Sequence, residues 1–168
     1  MSGSVFVEEN GNYQIDFSTA VWSTDQTHVE FHASGTFLSD VDFVATTDNY
    51  TYLVEYKNAN VTNAANPASF QPKDEKRVDN IARKYYDSLH YLAVEGINKP
   101  IKYIYIVEYP NAGKTDRKML RNKISRKLPF RLQSNKAKKI IEVFDVVSIS
   151  EWNEHTEYSQ FPLTPVLQ

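Results

Sequence analysis

The sequence predicts a mixed α/β fold in a single domain, and three observations support this. The chain has 168 residues, a usual size for one domain. Its first half contains short runs in which apolar and polar residues alternate, as they do in half-buried strands. Its second half contains two stretches with helical spacing, and each precedes a run rich in β-branched residues. We expect an N-terminal hairpin at 4–18, a core at about 28–149 and a tail at 151–168.

Composition excludes several classes of protein. The chain is 41% apolar and 24% charged, which is typical of a globular domain rather than a disordered one. It contains no apolar run long enough to cross a membrane and no secretory signal at its N-terminus, so we expect a cytoplasmic protein. It has no cysteine, which excludes thiolate metal sites and a cysteine nucleophile. Any metal must therefore bind to oxygen or imidazole.

Two strand regions are predicted before residue 40. Asn10 and Gly11 lie between two alternating runs in residues 4–18, which indicates a hairpin. Val29 and Phe31 alternate with polar residues, which favours a further strand with one solvent-exposed face.

That second strand would place His28, Glu30 and His32 on one face. Three such groups could form a facial metal triad. An ordinary polar strand face explains the same pattern, and we favour it.

Residues 41–57 predict a hairpin that brings two acids together. Asp48 and Asn49 form an acceptable two-residue turn, so paired residues have numbers that sum to 97 (48 plus 49). Asp42 then lies directly opposite Glu55. Like charges in such a pair are destabilising unless something compensates for them.

A divalent cation would compensate for this carboxyl pair, defined as Asp42 and Glu55. Side chains alternate along a strand, so Lys57 shares the face of Glu55. Hard oxygen ligands without cysteine favour Mg²⁺ or Mn²⁺ over zinc. The alternative is a solvent-facing strand edge with an ordinary Glu/Lys neighbour pair.

The remaining elements follow in order. They are a loop at 58–74, an amphipathic helix from the N-cap Asp74 to Gly96, a strand at 101–110 buried on both faces, a helix at 115–128 that begins at Thr115, and a strand at 138–149. The helix that ends at Gly96 would be a crossover between strands. The tail from Glu151 gives no firm prediction.

Asp42 on one strand, then Glu55, Tyr56 and Lys57 on the next, followed by a long helix and a buried strand, resembles the PD-(D/E)xK nuclease superfamily. The resemblance covers roughly residues 35–109. It implies a restriction-endonuclease-like mixed sheet flanked by helices and hydrolysis of phosphodiester bonds. It further implies that Asp42, Glu55 and the backbone carbonyl of Tyr56 hold one or two metal ions. Lys57 would orient the attacking water and stabilise charge on the phosphate.

One feature departs from that family. Its members usually open the core with a helix that often carries another acid, whereas this chain is predicted to open with strands. Glu8, Glu9 and Glu30 are equal candidates for the extra acid. Asp40 is in phase with Asp42 and could replace it as a ligand, although we favour Asp42.

Residues 114–139, called the basic segment, hold eleven Lys or Arg and one acid. The segment is therefore +10, and because the whole chain is −2, the remainder is −12. A basic helix with almost no acids repels itself unless phosphates neutralise it, so we expect this one to bind a nucleic-acid backbone. The expected binding residues are Lys114, Arg117, Lys118, Arg121, Lys123, Arg126 and Lys127. The alternative is the solvated face of a surface helix.

Together these features predict a Mg²⁺- or Mn²⁺-dependent nuclease, with DNA favoured over RNA as the substrate and a homodimer possible. The alternative function is a nuclease-like fold that only binds nucleic acid or a protein partner. Metal-dependent cleavage separates the two.

Overall fold

The computed structural model describes residues 4–60 and 70–168. Within them the strands are β1 (Val5–Val7), β2 (Tyr13–Asp16), β3 (Trp22–Thr24), β4 (Phe43–Thr46), β5 (Thr51–Asn58), β6 (Ile101–Glu108), β7 (Ile141–Val147) and β8 (Leu163–Pro165). The helices are α1 (Thr27–Ala33), α2 (Glu75–Val94), α3 (Lys114–Ser125), α4 (Phe130–Gln133) and α5 (Ile149–Glu154), and a short 3₁₀ helix spans Tyr158–Gln160.

The strands form two sheets. A five-stranded sheet has the order β3-β4-β5-β6-β7, in which β3, β4 and β5 are antiparallel and β5, β6 and β7 are parallel. A three-stranded antiparallel sheet has the order β1-β2-β8. The prediction of a mixed α/β fold is confirmed.

A hydrophobic cluster lies against each face of the five-stranded sheet. On the helix side, Leu53 of β5 packs with Tyr85 of α2 and Leu120 of α3. On the opposite side, Val54 packs with residues that include Trp152 of α5. Successive β5 residues join different clusters because side chains alternate along a strand. This double burial explains why β6 is apolar almost throughout.

Helix α2 confirms the most regular pattern in the sequence. Asp74 is its N-cap residue, and Val78, Ile81 and Tyr85 are buried along one side. Gly96 follows the helix with φ +73°, a conformation that glycine adopts without strain. Because β5 and β6 are parallel, α2 is the predicted crossover between them.

The predicted strand around Val29 and Phe31 is wrong, since these residues lie in α1. Phe31 is buried, whereas Val29 is 57% exposed. The buried residues of α1 are Thr27 and Phe31, which have the i,i+4 spacing of a helix. In seven residues that spacing is hard to distinguish from strand alternation.

The other predicted elements are found with shifted ends. The first hairpin is confirmed, with Gly11 in its turn at φ +73°. Helix α3 begins at Lys114, not at Thr115, and ends before the buried Leu128. Of the predicted loop at 58–74, residues 61–69 lie outside the described residues.

The tail, for which no firm prediction was possible, packs onto the core. Trp152 of α5 is fully buried, and its indole Nε1 donates to the backbone oxygen of Phe161 at 2.6 Å. Strand β8 completes the three-stranded sheet by pairing with β2. In residues 4–60 and 70–168, no helix has the length and apolar character needed to span a membrane.

Candidate active site

The predicted register of the second hairpin is confirmed. Phe43 pairs with Val54, and Thr46 pairs with Thr51, so the paired numbers sum to 97 as expected. The turn is closed by the amide of Thr47, which donates to the backbone oxygen of Tyr50 at 2.9 Å. Strand β4 begins at Phe43, so the ladder ends one residue short of the predicted Asp42–Glu55 pair.

Glu55 and Lys57 belong to the helix side of the sheet. Leu53 of β5 lies in the cluster that contains α2, and both residues are in phase with it. These two residues therefore share a face, as the sequence predicts. Asp42 lies just before β4, near enough for its charge to act on Glu55.

Each acid of the pair has a specific partner. The amide of Tyr56 donates to Oδ2 of Asp42 at 2.7 Å. Glu55 is only 6% exposed, and Lys84 Nζ donates to its Oε1 at 2.6 Å. The other oxygen of Glu55, Oε2, is buried without a hydrogen-bond partner in the described part of the chain. One carboxylate oxygen is thus left unsatisfied inside the site.

Burial and mutual repulsion set the pKa values of these acids. Burial, reinforced by the charge of Asp42, raises the pKa of Glu55 to about 8, and the ammonium of Lys84 offsets only part of this rise. Burial likewise raises the pKa of Asp42. Burial lowers the pKa of Lys84, but the two carboxyl groups outweigh it and the net shift is upward. The pair is therefore costly to ionise with only one cation beside it.

Sequence reasoning missed Lys84, although a signal for it exists. On α2 the residues Ile81, Tyr85 and Ser88 are buried. Lys84 is three residues after Ile81 and four before Ser88, which places it on the same helix face. A lysine in phase with a buried face requires an acidic partner, and Glu55 supplies it.

Beside Asp42 lies a cavity of about 580 Å³, whose walls include parts of the first hairpin, α1 and β5. Asp42, Lys57 and Lys84 all line it. Lys57 is exposed, and no ion pair is found for it among the described residues. Its ammonium is thus available to a molecule that enters the cavity.

The three candidates for an extra acid have different surroundings. Glu8 is buried and accepts hydrogen bonds from the amides of Asn10 and Tyr13, so it stabilises the first turn. Glu30 is exposed on α1 and accepts from the Tyr91 hydroxyl at 3.4 Å. Glu8 and Glu9 both line the cavity, whereas Glu30 does not. Because the carboxylate of Glu8 already accepts hydrogen bonds from the turn backbone, Glu9 is the candidate that the surroundings favour.

Asp40 and the two histidines of the proposed facial triad also line this cavity. His28 and His32 are one helical turn apart on α1, with ring centroids 4.3 Å apart. Because α1 is a helix, the predicted alignment of these histidines with Glu30 on one strand face is wrong. Asp40 Oδ1 lies 3.0 Å from His28 Nδ1, whereas Asp42 turns toward β5.

The residues present fit a hard divalent cation. In residues 4–60 and 70–168, no group of three or more His, Cys, Asp or Glu side chains could hold a metal ion. The predicted site does not need such a group, because it combines two carboxylates with the backbone carbonyl of Tyr56. Oxygen ligands of this kind, together with the unsatisfied Oε2 of Glu55, suit Mg²⁺ or Mn²⁺.

Part of the basic segment is neutralised within the protein. Arg117 is only 8% exposed, and its Nε and Nη2 donate to the carboxylate of Glu151 at 2.9 and 2.7 Å. Lys123 and Lys127 lie 3.1 and 2.6 Å from the carboxylate of Glu75 on α2. The premise that α3 repels itself without phosphates is therefore wrong for these three residues.

The other basic residues near α3 remain available to a ligand. Lys114, Lys118 and Arg121 line a groove of about 220 Å³ beside β7. Arg121 lies 3.9 Å from Asp145, a long ion pair. Lys118 and Arg126 are exposed, and no ion pair is found for either within the described ranges. The groove surface formed by Lys114, Lys118 and Arg121 is named the free basic face.

The fold and the site thus define a mixed α/β protein in which the buried Glu55 is paired with Lys84, and Asp42 and Lys57 line one cavity. In comparisons with protein-family models, with curated proteins and with solved structures, the chain gave no significant match.

Proposed function

We propose that this protein is a metal-dependent nuclease of the PD-(D/E)xK type, with a restriction-endonuclease-like core that hydrolyses phosphodiester bonds, in DNA rather than RNA. The observation that carries the proposal is the carboxyl pair. The charge of Asp42 acts on Glu55, the pKa values of both acids are raised, and Oε2 of Glu55 has no partner among the described residues. A divalent cation between them would account for all three features.

The order of elements supports the same proposal. Helix α1 precedes the β4–β5 hairpin, and α2 then crosses to the parallel strand β6. The chain opens with strands as expected, and α1, which sequence reasoning had not predicted, would correspond to the family's usual opening helix. This sequence of helix, hairpin, crossover and buried strand agrees with what the resemblance implies.

Each residue of the site has a proposed role. Asp42, Glu55 and the carbonyl of Tyr56 hold Mg²⁺ or Mn²⁺, which when bound lowers the pKa of a coordinated water and offsets charge on the phosphate. Lys57 stabilises the negative charge that develops on the phosphate. Lys84 fixes the orientation of Glu55 through its 2.6 Å hydrogen bond.

One observation favours the alternative, a non-catalytic binding module. The Lys84–Glu55 ion pair partly compensates the buried acid without any metal, as a purely structural triad would. The free basic face would then bind nucleic acid without cleavage.

The test is cleavage of single-stranded DNA, double-stranded DNA and RNA in Mg²⁺, in Mn²⁺ and in EDTA. We expect cleavage of DNA with either metal and none in EDTA. Glu55→Gln and Lys57→Gln should each lower the rate by at least about 100-fold, the usual effect of removing a group that stabilises transition-state charge. Glu142→Gln and Lys76→Gln, both at exposed positions, are matched controls that should retain activity.

Cleavage that persists in Glu55→Gln or Lys57→Gln would remove those residues from the site. Metal-independent binding of nucleic acid by a wild-type protein that never cleaves it would instead establish the alternative.

A further inference from the structure

We propose that His28, held by Asp40, is a further catalytic residue that takes the proton from the attacking water. This inference rests on the nuclease proposed above. The inference gives a role to the α1 side of the cavity. Neither the proposed metal ligands nor Lys57 lies on that side.

The contact between His28 and Asp40 determines what the imidazole can do. Nδ1 of His28 lies 3.0 Å from Oδ1 of Asp40. A carboxylate only accepts, so Nδ1 carries the proton and donates it, and the neutral ring is left with a lone pair on Nε2. The His28 side chain is 64% exposed and lines the same cavity as Asp42 and Lys57. Nε2 is therefore a proton acceptor at the cavity surface.

Helix α2 anchors both sides of this cavity. Phe31 of α1 packs edge-on against Tyr91 of α2, with ring centroids 5.9 Å apart, which holds α1 on α2. The amide of Ser39, next to Asp40, donates to Asp87 of α2 at 2.8 Å. Lys84 of the same helix binds Glu55 on the other side. The histidine–aspartate contact is thus fixed relative to the carboxyl pair.

The chemical step balances with these groups. A water oxygen forms a bond to phosphorus while one of its protons moves to Nε2 of His28. The bond from phosphorus to the leaving oxygen breaks, that oxygen keeps the electron pair, and it takes a proton from solvent. The imidazolium that forms is stabilised by the carboxylate of Asp40, and it returns its proton to solvent. Asp40 acts only through His28 and is a positioning residue.

His32 is a poorer candidate for the same role. It lies one turn further along α1, and its ring contacts that of His28. No carboxylate is found bonded to His32 in the described part of the chain, so nothing fixes which of its nitrogens carries the proton.

The experiment measures kcat and KM on the DNA substrate for wild type, His28→Ala, Asp40→Asn and the control His90→Ala, which alters an exposed histidine of α2. His28→Ala should lower kcat about 100-fold, the usual contribution of a general base, with KM changed less than about threefold. Added imidazole should restore part of that kcat. Asp40→Asn should lower kcat and change the ¹⁵N shifts of the His28 ring. His90→Ala should have wild-type activity, and melting curves verify that all variants fold.

The possible outcomes separate this inference from the proposed function. If wild type cleaves and Glu55→Gln does not, but His28→Ala retains activity or loses it without rescue by imidazole, the role of His28 is overturned and the nuclease stands. If wild type does not cleave at all, both fail.

Discussion

Glu55 carries a carboxyl group that is almost fully buried between β5 and α2. Transferring an ionised carboxylate into such a place costs several kcal/mol unless hydrogen bonds and opposite charges compensate, as an order of magnitude. One oxygen has Lys84, and the other has no partner in the described residues. The compensation is incomplete. Below about pH 8 a proton completes it, and a bound cation would complete it for the ionised carboxylate.

The raised pKa of Glu55 predicts how stability depends on pH. Its ordinary pKa of 4.5 rises to about 8 in the folded protein. Between these two pH values the folded state binds a proton that the unfolded state has released, so the free energy of unfolding falls as pH rises from about 4.5 to about 8. Glu55→Gln cannot ionise, and it should remove much of that decline.

Urea unfolding at pH 5, 7 and 9 in EDTA measures this effect. The difference in free energy of unfolding, Glu55→Gln minus wild type, should be larger at pH 9 than at pH 5 by at least about 1 kcal/mol. Each pKa unit corresponds to about 1.4 kcal/mol. Glu142→Gln, at an exposed position, should follow wild type at every pH. Parallel pH profiles for wild type and Glu55→Gln would contradict the raised pKa.

At the residue scale, the sequence predicts the register of the β4–β5 hairpin, which brings Asp42 near Glu55, but it misses Lys84. The register can be predicted because a two-residue turn fixes how the two strands of a hairpin pair, and the pairing fixes which side chains share a face. The partner of Glu55 depends on how α2 lies across the sheet. That arrangement results from packing between elements distant in sequence, which no local pattern specifies.

Among the elements, α3 has two basic sides with different partners. Lys123 and Lys127 contact Glu75 of α2, while Lys114, Lys118 and Arg121 line the groove beside β7. Arg117 is committed to Glu151, which also caps α5 by accepting from the amide of Ser148 at 2.9 Å. Removing Arg117 would disturb that cap, so it is unsuitable for a test of nucleic-acid binding.

The free basic face should determine the salt dependence of DNA binding. In the variant Lys114→Ala/Lys118→Ala/Arg121→Ala, the slope of log K against log salt concentration should become shallower by about 0.9 for each phosphate that the variant no longer neutralises. The measurement is a binding titration on duplex DNA at several salt concentrations, in EDTA to prevent cleavage.

The matched control is Lys123→Ala/Lys127→Ala, which alters the other side of the same helical region. It should leave the slope near the wild-type value and change stability little, since these ion pairs are exposed to solvent. Equal slopes for wild type and the triple variant would show that the groove side of α3 does not contact phosphate.

Helix α1 shows where element prediction from sequence fails. Val29 and Phe31 suggested an alternation, but only Phe31 is buried, and it packs against Tyr91 of α2. The tertiary contact selects the helix, and seven residues contain too little pattern to reveal it. Helix α2 was predictable because its periodicity continues over 20 residues between a cap and a glycine.

In the whole molecule, the candidate site lies where β4 begins and β5 ends in the mixed sheet. Two buried strands, β5 and β6, separate the helix-side cluster from the cluster that holds the tail. The α/β class was predictable from alternating patterns, whereas the docking of β8 onto β2 was not, because it joins chain segments about 150 residues apart. Helix α2 links the fold to the site, because it crosses between the parallel strands, carries Lys84 and packs against α1.

The central claim is that Asp42 and Glu55 bind one divalent cation between them. Anomalous diffraction from crystals soaked in Mn²⁺ tests it most directly. We predict a single peak about 2–2.5 Å from a carboxylate oxygen of Asp42 and from Oε2 of Glu55, the usual range for hard cations, and no such peak in Glu55→Gln. A wild-type crystal with no peak at this position, in which Lys84 alone contacts Glu55, would contradict the account.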